Sequence, residues 1–147
     1  MTSETGPTKE EAIRFNNIVV KDYRNIIAAD DSCIEMMRYD VFNMDSSVFR
    51  LQKVVEKKTI KYASMPAFDE EDTLRKAFKR FLKTYNEVAF IDYPKMVKHF
   101  ELTKNEAIEA NNTYKVFIRG IDSKVSEAKK EFFVAQKEFK IKFKIKI

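Results

Sequence analysis

Apolar residues follow one another at alternating steps of four and three along the last part of this chain. Such a repeat places them on one side of a long helix, where they form a line that packs against other helices. The residues of this line are Tyr114, Ile118, Ile121, Val125, Ala128, Phe132, Ala135 and Phe139. A shorter line of the same kind consists of Leu74, Phe78, Phe81, Tyr85 and Val88. The two patterns predict a fold of long helices packed side by side.

Turn-forming residues are too scarce for the alternative, a fold of β-strands. The 147 residues include two glycines and three prolines. All-β folds need many tight turns, and these depend on glycine and proline. The chain length is typical of one domain that buries a core without disulfides or metals. We therefore expect an all-α protein with a single domain over residues 1–147.

Local signals divide this domain into four helices. The pattern Thr8-Lys9-Glu10-Glu11 is a capping box that starts the first helix near residue 9, and residues 103–106 form a second box that starts the last one. Ser46 or Ser47 is expected to cap the second helix, which should end before Pro66. These boundaries predict an antiparallel up-down-up-down four-helix bundle with long third and fourth helices.

Several finer features follow from the same patterns. We expect the buried stripe of the first helix to consist of Ile13, Val20 and Ile27, joined by Ala12, Phe15, Val19, Tyr23 and Ile26. Residues 31–46 are expected to form an irregular or partly helical connection. Four acidic residues, 69–72, are expected at the N-terminus of the third helix, where the helix dipole favours negative charge.

Two further residues bear on the third and fourth helices. Pro94 should kink or restart the third helix near Asp92. Gly120 lies within the long apolar line of the last helix without breaking its phase. It is therefore expected to allow close approach of a neighbouring helix.

The chain ends in a strict alternation of lysine and apolar residues. Residues 1–7 are predicted as an N-terminal tail, and 140–147 as a basic and apolar C-terminal tail that becomes extended after about one more helical turn, because an extended chain gathers its apolar residues on one face. The tail could pack on its own protein, pair with a second molecule, or add a strand to a partner, and the first is favoured. The candidate partner-binding residues are Lys140, Ile141, Lys142, Phe143, Lys144, Ile145 and Lys146.

Charge is concentrated at the same end of the chain. Seven lysines and two glutamates lie from residue 129 onward, and seven minus two gives +5, equal to the whole net charge. Terminal blocks of positive charge can bind acidic proteins, nucleic acid or anionic lipid. Among these partners, nucleic acid is the least expected, because the aromatic residues fall mainly on buried helix faces.

Residues with catalytic chemistry are few and scattered. His99 is the single histidine and Cys33 the single cysteine, whose pKa the preceding aspartates should raise. No phosphate-binding glycine loop or metal-ligand spacing occurs, so we expect no enzymatic activity, cofactor or metal. Asn16 and Asn17, like Asn111 and Asn112, interrupt apolar stripes. They can indicate buried polar networks or a ligand cleft, although solvent-facing positions explain them more simply.

The segment LQKVVEKKTIKYASMPAFDEEDTLRKAFKRFLKTYNEVAFIDYPKMV, residues 51–97, resembles a family of uncharacterised bacterial surface lipoproteins that look like helical bundles. The segments at 12–20 and 131–139 are similar to the opening and closing helices of that family. Cys33 has no apolar segment before it and does not match the family's lipid-bearing cysteine. Residues 31–46 and the C-terminal tail also depart from the pattern.

The resemblance implies a non-enzymatic structural or interaction module of the bacterial cell envelope, at the surface or in the periplasm. Its partner would be an unknown protein or envelope component, and any lipid anchor or signal segment would lie outside this sequence. The alternative is an intracellular, cytoplasmic module that uses its basic tail to bind an acidic protein, nucleic acid or an anionic membrane surface. No apolar run is long enough to span a membrane, and the sequence leaves the oligomeric state open.

Overall fold

The chain is mainly helical in the part that the computed structural model describes, which comprises the backbone of residues 6–103 and 107–146 and the side chains of residues 6–102 and 115–146. Within those ranges there is no β-strand, which confirms the all-α prediction. A 3-10 turn at Val41–Asn43 follows the first helix, and a π-helical turn at Val88–Asp92 joins the third to the fourth. The helices are α1 Lys9–Tyr39, α2 Asp45–Ser64, α3 Thr73–Glu87, α4 Tyr93–Thr103 and α5 Ala107–Lys142.

The first helix begins as predicted. The Glu11 N–H donates to Thr8 Oγ1 at 3.1 Å and the Thr8 N–H donates to Glu11 Oε1 at 2.9 Å, so both halves of the capping box are present. Of the two alternatives predicted for residues 31–46, the partly helical one is confirmed: residues 31–39 continue α1, a 3-10 turn follows, and α2 begins at Asp45. Helix α1 continues because Cys33 and Met37 keep its buried face in phase.

The predicted buried stripe of α1 is confirmed at Ala12, Phe15, Val19 and Ile26, but not at the positions spaced by seven. Ile13, Val20 and Ile27 are half-buried at the edge of the interface. The fully buried apolar line consists of Ala12, Phe15, Val19, Ile26, Ala29, Cys33 and Met37. The buried face of α1 also includes two aspartates, which are described below.

The start of α2 differs from the prediction. Met44 occupies the capping position and no side chain caps the helix, while Ser46 and Ser47 lie inside its first turn. Met44 and Ser47 are both buried, so packing rather than a hydroxyl cap fixes this end of the helix. The predicted end before Pro66 is confirmed, because α2 ends at Ser64.

Of the acidic residues 69–72, which were predicted at the N-terminus of the third helix, Asp72 occupies the N-cap position of α3, and the other three lie in the loop before it. Asp72 has a φ of 53°, in the left-handed region, and its carboxylate accepts the Phe68 N–H at 3.2 Å and Arg75 Nε–H at 2.8 Å. Arg75 Nη1 also donates at 3.0 Å to the backbone carbonyls of Tyr62 and Met65. The Asp72 carboxylate therefore orders the loop, and Arg75 of α3, which it contacts, satisfies carbonyls at the end of α2.

Pro94 interrupts the third helical segment where expected, and the interruption is a π turn. The Tyr93 N–H donates to the carbonyl of Val88. If the π-helical pattern continued by one residue, the carbonyl of Ala89 would accept from the N–H of residue 94. Residue 94 is proline and has no N–H. Gln52 Nε2 of α2 donates to that carbonyl at 2.9 Å instead. The helical path therefore continues from Thr73 to Thr103 without a loop.

The apolar line of α5 is buried as predicted. Its buried members are Ile121, Val125, Ala128, Phe132, Ala135 and Phe139. The predicted capping box at 103–106 and the side chain of Tyr114 lie outside the described residues. The expectation for Gly120 is wrong: a Cβ atom added there would meet nothing within 4 Å, so no neighbouring helix lies close to it.

The helices pack in pairs around an aromatic core. Close pairs are α1 with α2, α2 with α3, and α3 and α4 with α5, whereas the backbones of α1 and α5 approach each other less closely. Long side chains fill that wider interface: Tyr23 stacks on Phe132 with ring centroids 5.1 Å apart, and Phe15 meets Phe139 at 6.0 Å. Recesses lie along the α1–α5 interface, and others lie between α1 and α2 and between α2 and α4.

Candidate functional site

The predicted C-terminal tail, residues 140–147, is helical at its start. Helix α5 continues through Lys142, which confirms about one further turn. The extended conformation expected next is wrong, because Lys144 has a left-handed φ of 57° and the Ile145 N–H folds back to donate to the Lys140 carbonyl at 2.8 Å. This 6→1 hydrogen bond is the Schellman pattern that ends many helices, here with lysine where glycine is usual.

The apolar residues of this segment do not share one face. Ile141 is 60% exposed, whereas Phe143 and Ile145 pack against the core. The Phe143 ring lies 4.8 Å from the ring of Phe139 and 5.7 Å from that of Phe68. Packing on the protein's own surface is therefore confirmed for Phe143 and Ile145.

The lysines of the tail have different surroundings. Lys142 Nζ contacts Asp69 Oδ2 at 2.8 Å and Glu71 Oε1 at 2.5 Å, and these hydrogen bonds raise the pKa of Lys142. Lys144 and Lys146 are exposed. One tail lysine is thus already paired with the acidic loop before α3, and a role of the others in partner binding stays a prediction.

Asp22 is a buried carboxylate on α1 with two cationic partners. Lys58 Nζ lies 2.8 Å from Oδ1, and Lys61 Nζ and the Tyr62 hydroxyl donate to Oδ2 at 2.7 Å each. Burial alone would raise the pKa of Asp22, but the hydrogen bonds from Lys58, Lys61 and Tyr62 outweigh it, so the pKa is lowered. Asp22 therefore stays charged and ties α1 to α2.

Asp30 is a second buried carboxylate, and its hydrogen-bonding partners are neutral. The Tyr85 hydroxyl donates to Oδ2 at 2.6 Å and the Tyr93 hydroxyl donates to Oδ1 at 2.5 Å. Burial raises the pKa of Asp30, and the two hydroxyls and the field of Lys129 only partly offset it. Burial and the adjacent carboxyl also raise the pKa of both tyrosines. The cluster joins α1 to α3 and to the first residue of α4.

A cavity of about 230 Å³ opens beside Asp30, between α1 and α5. Its charged lining is mixed in sign: Asp30, Asp31 and Arg38 come from α1, and Asp122 and Lys129 from α5. Aliphatic side chains of the same two helices form the remaining walls. A recess with apolar walls and a few converging polar groups is the usual form of a small-ligand site. This cavity is our candidate functional site.

A second, more open groove lies along the other half of the α1–α5 interface. Its volume is about 500 Å³, and its lining contains Lys21, Arg24, Lys140 and three asparagines but no carboxylate. One of these asparagines, Asn16, is buried and its Oδ1 accepts from Gln136 Nε2 at 3.2 Å. The suggestion of a buried polar contact is therefore confirmed at Asn16, whereas Asn17 is exposed, as the simpler explanation expects. The side chains of Asn111 and Asn112 lie outside the described residues. Lys140 is the candidate tail residue that borders this groove.

The two residue types most often used in catalysis are packed within the protein. Cys33 is fully buried, and burial, followed by the charge of Asp30, raises the pKa of its thiol to about 12. The direction agrees with the prediction, although burial is the larger cause. The His99 ring lies among aromatic rings, 6.0 Å from Phe117 and 6.4 Å from Phe100.

Asp22 and Asp30 were missed at the sequence level, although a signal for both was available. Asp22 lies between Val19 and Ile26 at steps of three and four, and Asp30 lies four residues after Ile26. An aspartate at such a position is expected to be buried and to need partners.

Two further properties concern the described part of the chain as a whole. Among residues whose side chains are described, no three histidine, cysteine, aspartate or glutamate side chains lie close enough together to hold a metal ion. None of the helices in the described ranges combines the length and hydrophobicity that crossing a bilayer requires.

Comparison of the chain with protein-family models, curated proteins and solved structures finds no match. The resemblance of residues 51–97 to the surface lipoproteins is therefore still a prediction.

Proposed function

We propose that this protein is a non-enzymatic helical bundle of the bacterial cell envelope that acts by binding. The observation that carries the proposal is the interface between α1 and α5. Aromatic pairs such as Tyr23 and Phe132 bridge its middle, and recesses open on either side of them. A scaffold with preformed recesses between rigid helices suits a binding protein.

The proposed arrangement is an antiparallel up-down-up-down bundle, with α3, the π turn and α4 acting together as a long third helix and α5 as a long fourth. Consecutive segments pack against each other, as this arrangement requires. It also brings the start of the first helix beside the end of the last. The contact of Phe15 with Phe139 and the hydrogen bond between Asn16 and Gln136 support that pairing.

A non-enzymatic role is supported by how the ionisable side chains are used. Asp22 bridges two helices through lysines and a tyrosine, and Asp30 accepts from two tyrosines. Cys33 has a strongly raised pKa, which disfavours the nucleophilic thiolate. These groups stabilise helix packing, and none forms a hydrogen-bonded nucleophile and base of the kind that activated nucleophiles use.

The envelope location rests on the lipoprotein resemblance and is tested by shaving intact cells with protease. Cells expressing the complete native gene should lose the protein on treatment, while a cytoplasmic marker in the same cells survives. Lysed cells provide the control that the protein is cleavable. Protection in intact cells, followed by cleavage after the outer layers alone are opened, would place it in the periplasm. Protection until the cytoplasmic membrane is broken would contradict the envelope proposal.

A second candidate function is binding of an acidic partner through the basic surface near the C-terminus. The observation that favours it is the groove in which Lys140 lies with Lys21 and Arg24, without a carboxylate in the lining. Lys144 and Lys146 lie exposed just beyond it. Such a surface fits an acidic protein or an anionic membrane, and less readily nucleic acid. Binding of this kind should weaken steeply as salt is raised.

The matched test changes charge without removing the apolar residues of the tail. A variant with Lys140, Lys144 and Lys146 replaced by glutamine keeps Phe143 and Ile145 in the core. A control with Lys79, Lys83 and Lys98 replaced by glutamine loses the same charge elsewhere. Sedimentation with vesicles of phosphatidylserine and phosphatidylcholine should show binding that the first variant loses and the control keeps. Equal losses in both, or no binding by the unmodified chain, would contradict a membrane-binding tail.

A further inference from the structure

The two buried aspartates differ in the number of positively charged side chains that contact their carboxylates. Asp22 has two lysine ammonium groups within 2.8 Å. Asp30 is 4% exposed, and among the described side chains no cation lies within ion-pair distance of it. A buried carboxylate without a countercharge is costly, and two neutral donors offset only part of that cost. The site would therefore gain from a cation supplied from outside.

The carboxylate of Asp30 also has capacity for another donor. The Tyr85 and Tyr93 hydroxyls each occupy one of its oxygens. An ionised carboxylate offers about four acceptor sites, so about two remain after the tyrosines are counted. Because Asp30 lines the cavity between α1 and α5, a ligand in that cavity can reach it.

Size and lining restrict what that ligand can be. The cavity holds about 230 Å³, whereas sites for drug-sized ligands run from about 300 to 1,000 Å³. Ile34 of α1 and Ile118, Ile121 and Val125 of α5 supply aliphatic walls. A small molecule with a short hydrocarbon body and one polar end fits such walls. Asp30, which lines the cavity, favours a ligand whose polar end is positively charged.

We propose that the cavity between α1 and α5 binds a small primary amine, whose ammonium group contacts Asp30 and whose hydrocarbon body lies between Ile121 and Val125. The inference deepens the binding role proposed above by naming a ligand class. Asp31 and Asp122 at the cavity add to its attraction for cations, while Arg38 and Lys129 oppose it. Lys129 is the internal competitor, because its charge already acts on Asp30 without forming an ion pair.

The test uses n-butylammonium as the probe and n-butanol as a neutral molecule of the same length. Amide-detected NMR titration of the full chain at neutral pH should show saturable shifts around the cavity with the amine. Binding of the alcohol should be weaker by about tenfold or more, a difference that one charge-assisted contact of about 1.4 kcal/mol provides. Equal binding of amine and alcohol would overturn the proposal, as would shifts that never saturate.

Variants separate a specific contact with Asp30 from general attraction. Asp30→Asn should weaken amine binding by about tenfold, and Asp31→Asn, the same change at the exposed neighbour, by less than about threefold. Lys129→Met should strengthen binding because it removes the competing cation. Equal losses in the two aspartate variants would overturn the proposal.

A further variant serves in case Asp30→Asn fails to fold. Val125→Phe fills the cavity and leaves Asp30 unchanged, so it should abolish binding of the amine. Unchanged binding in Val125→Phe would overturn the proposed site. The envelope proposal is tested independently by protease shaving, because a protein found at the surface need not bind amines.

Discussion

Asp22 and Asp30 lie on the same helix, about two turns apart, and both are buried with tyrosine hydroxyls as partners. They differ in countercharge. The carboxylate of Asp22 contacts Lys58 and Lys61, and its pKa is lowered. Among the described side chains, the carboxylate of Asp30 accepts from Tyr85 and Tyr93 alone, and its pKa is raised. The comparison shows that the hydrogen-bonding partners, rather than burial alone, decide whether the pKa of an interior carboxylate is lowered or raised.

The largest expected effect comes from breaking the charged site. Asp22→Asn leaves Lys58, whose side chain is 13% exposed, without its anion. Removing one partner of a buried pair costs about 3 to 5 kcal/mol, and we expect about 3 here because Lys61 is 41% exposed and can turn to water. Urea unfolding at neutral pH measures this change. A loss under about 1 kcal/mol would mean that the pairs contribute no more than surface pairs do.

The tyrosines test whether Asp30 depends on neutral donors more than Asp22 does. Tyr93→Phe removes one of the two donors seen at Asp30, while Tyr62→Phe removes one of three at Asp22. We expect losses in the free energy of unfolding of about 2 and about 1 kcal/mol respectively, because a donor to a buried acid matters more where fewer remain. Urea unfolding of both variants tests the order, and a larger loss for Tyr62→Phe would contradict it.

The third prediction concerns Asp30→Asn, which should change the free energy of unfolding by less than about 1 kcal/mol at neutral pH. An asparagine can accept from one tyrosine and donate to the other, and it removes a buried charge that has no countercharge. Urea unfolding compares it with Asp22→Asn in the same buffer. Equal losses in the free energy of unfolding for Asp22→Asn and Asp30→Asn would contradict the proposed difference in countercharge between the two sites.

The two aspartates should also respond oppositely to pH. Because the folded pKa of Asp30 is raised, its stabilising contribution is present below the unfolded value near 3.8 and is lost as pH rises through the folded pKa. The stability of Asp30→Asn relative to the unmodified chain should therefore improve from acidic to neutral pH. The lowered pKa of Asp22 gives a contribution that is present above 3.8 and lost as pH falls through the folded pKa, so Asp22→Asn should be most damaging at neutral pH. Parallel pH dependences would contradict the opposite shifts.

Local sequence signals predicted those features whose cause lies within a few residues. The Thr8 capping box, the interruption at Pro94 and the buried line of α5 are of this kind. The carboxylate sites are not, because their partners lie on other helices: Tyr62 is 40 residues from Asp22 and Tyr93 is 63 residues from Asp30. The periodicity of α1 is enough to predict that both aspartates are buried. It does not predict which of the two carboxylates forms ion pairs with lysines.

The end of the chain shows a second limit of periodicity. The alternation of lysine with isoleucine or phenylalanine predicts an extended segment, yet Lys144 adopts a left-handed conformation that closes α5. Non-glycine residues seldom adopt this conformation, so the lysine at position 144 gave no reason to predict that the helix ends there. Packing of the Phe143 ring against the rings of Phe139 and Phe68 then fixes the end of the helix. Contacts from distant parts of the chain here override the local pattern.

The smallest expected effect comes from Lys142, the exposed counterpart of the lysines at Asp22. Its ammonium contacts Asp69 and Glu71, but its side chain is 39% exposed and that of Glu71 is 65% exposed. Water and salt screen such a pair, so Lys142→Gln should lower the free energy of unfolding by at most about 0.5 kcal/mol, and by less still at high salt.

The comparison for this loss is Phe143→Ala. It should lower the free energy of unfolding by about 2 kcal/mol, which is less than the loss expected for a fully buried phenylalanine, because the ring is only partly buried. Urea unfolding of both variants at low and high salt measures the two losses in the free energy of unfolding. If the loss for Lys142→Gln depends on salt and is as large as the loss for Phe143→Ala, charge rather than packing holds the end of α5. An exposed ion pair would then contribute to the stability of this protein.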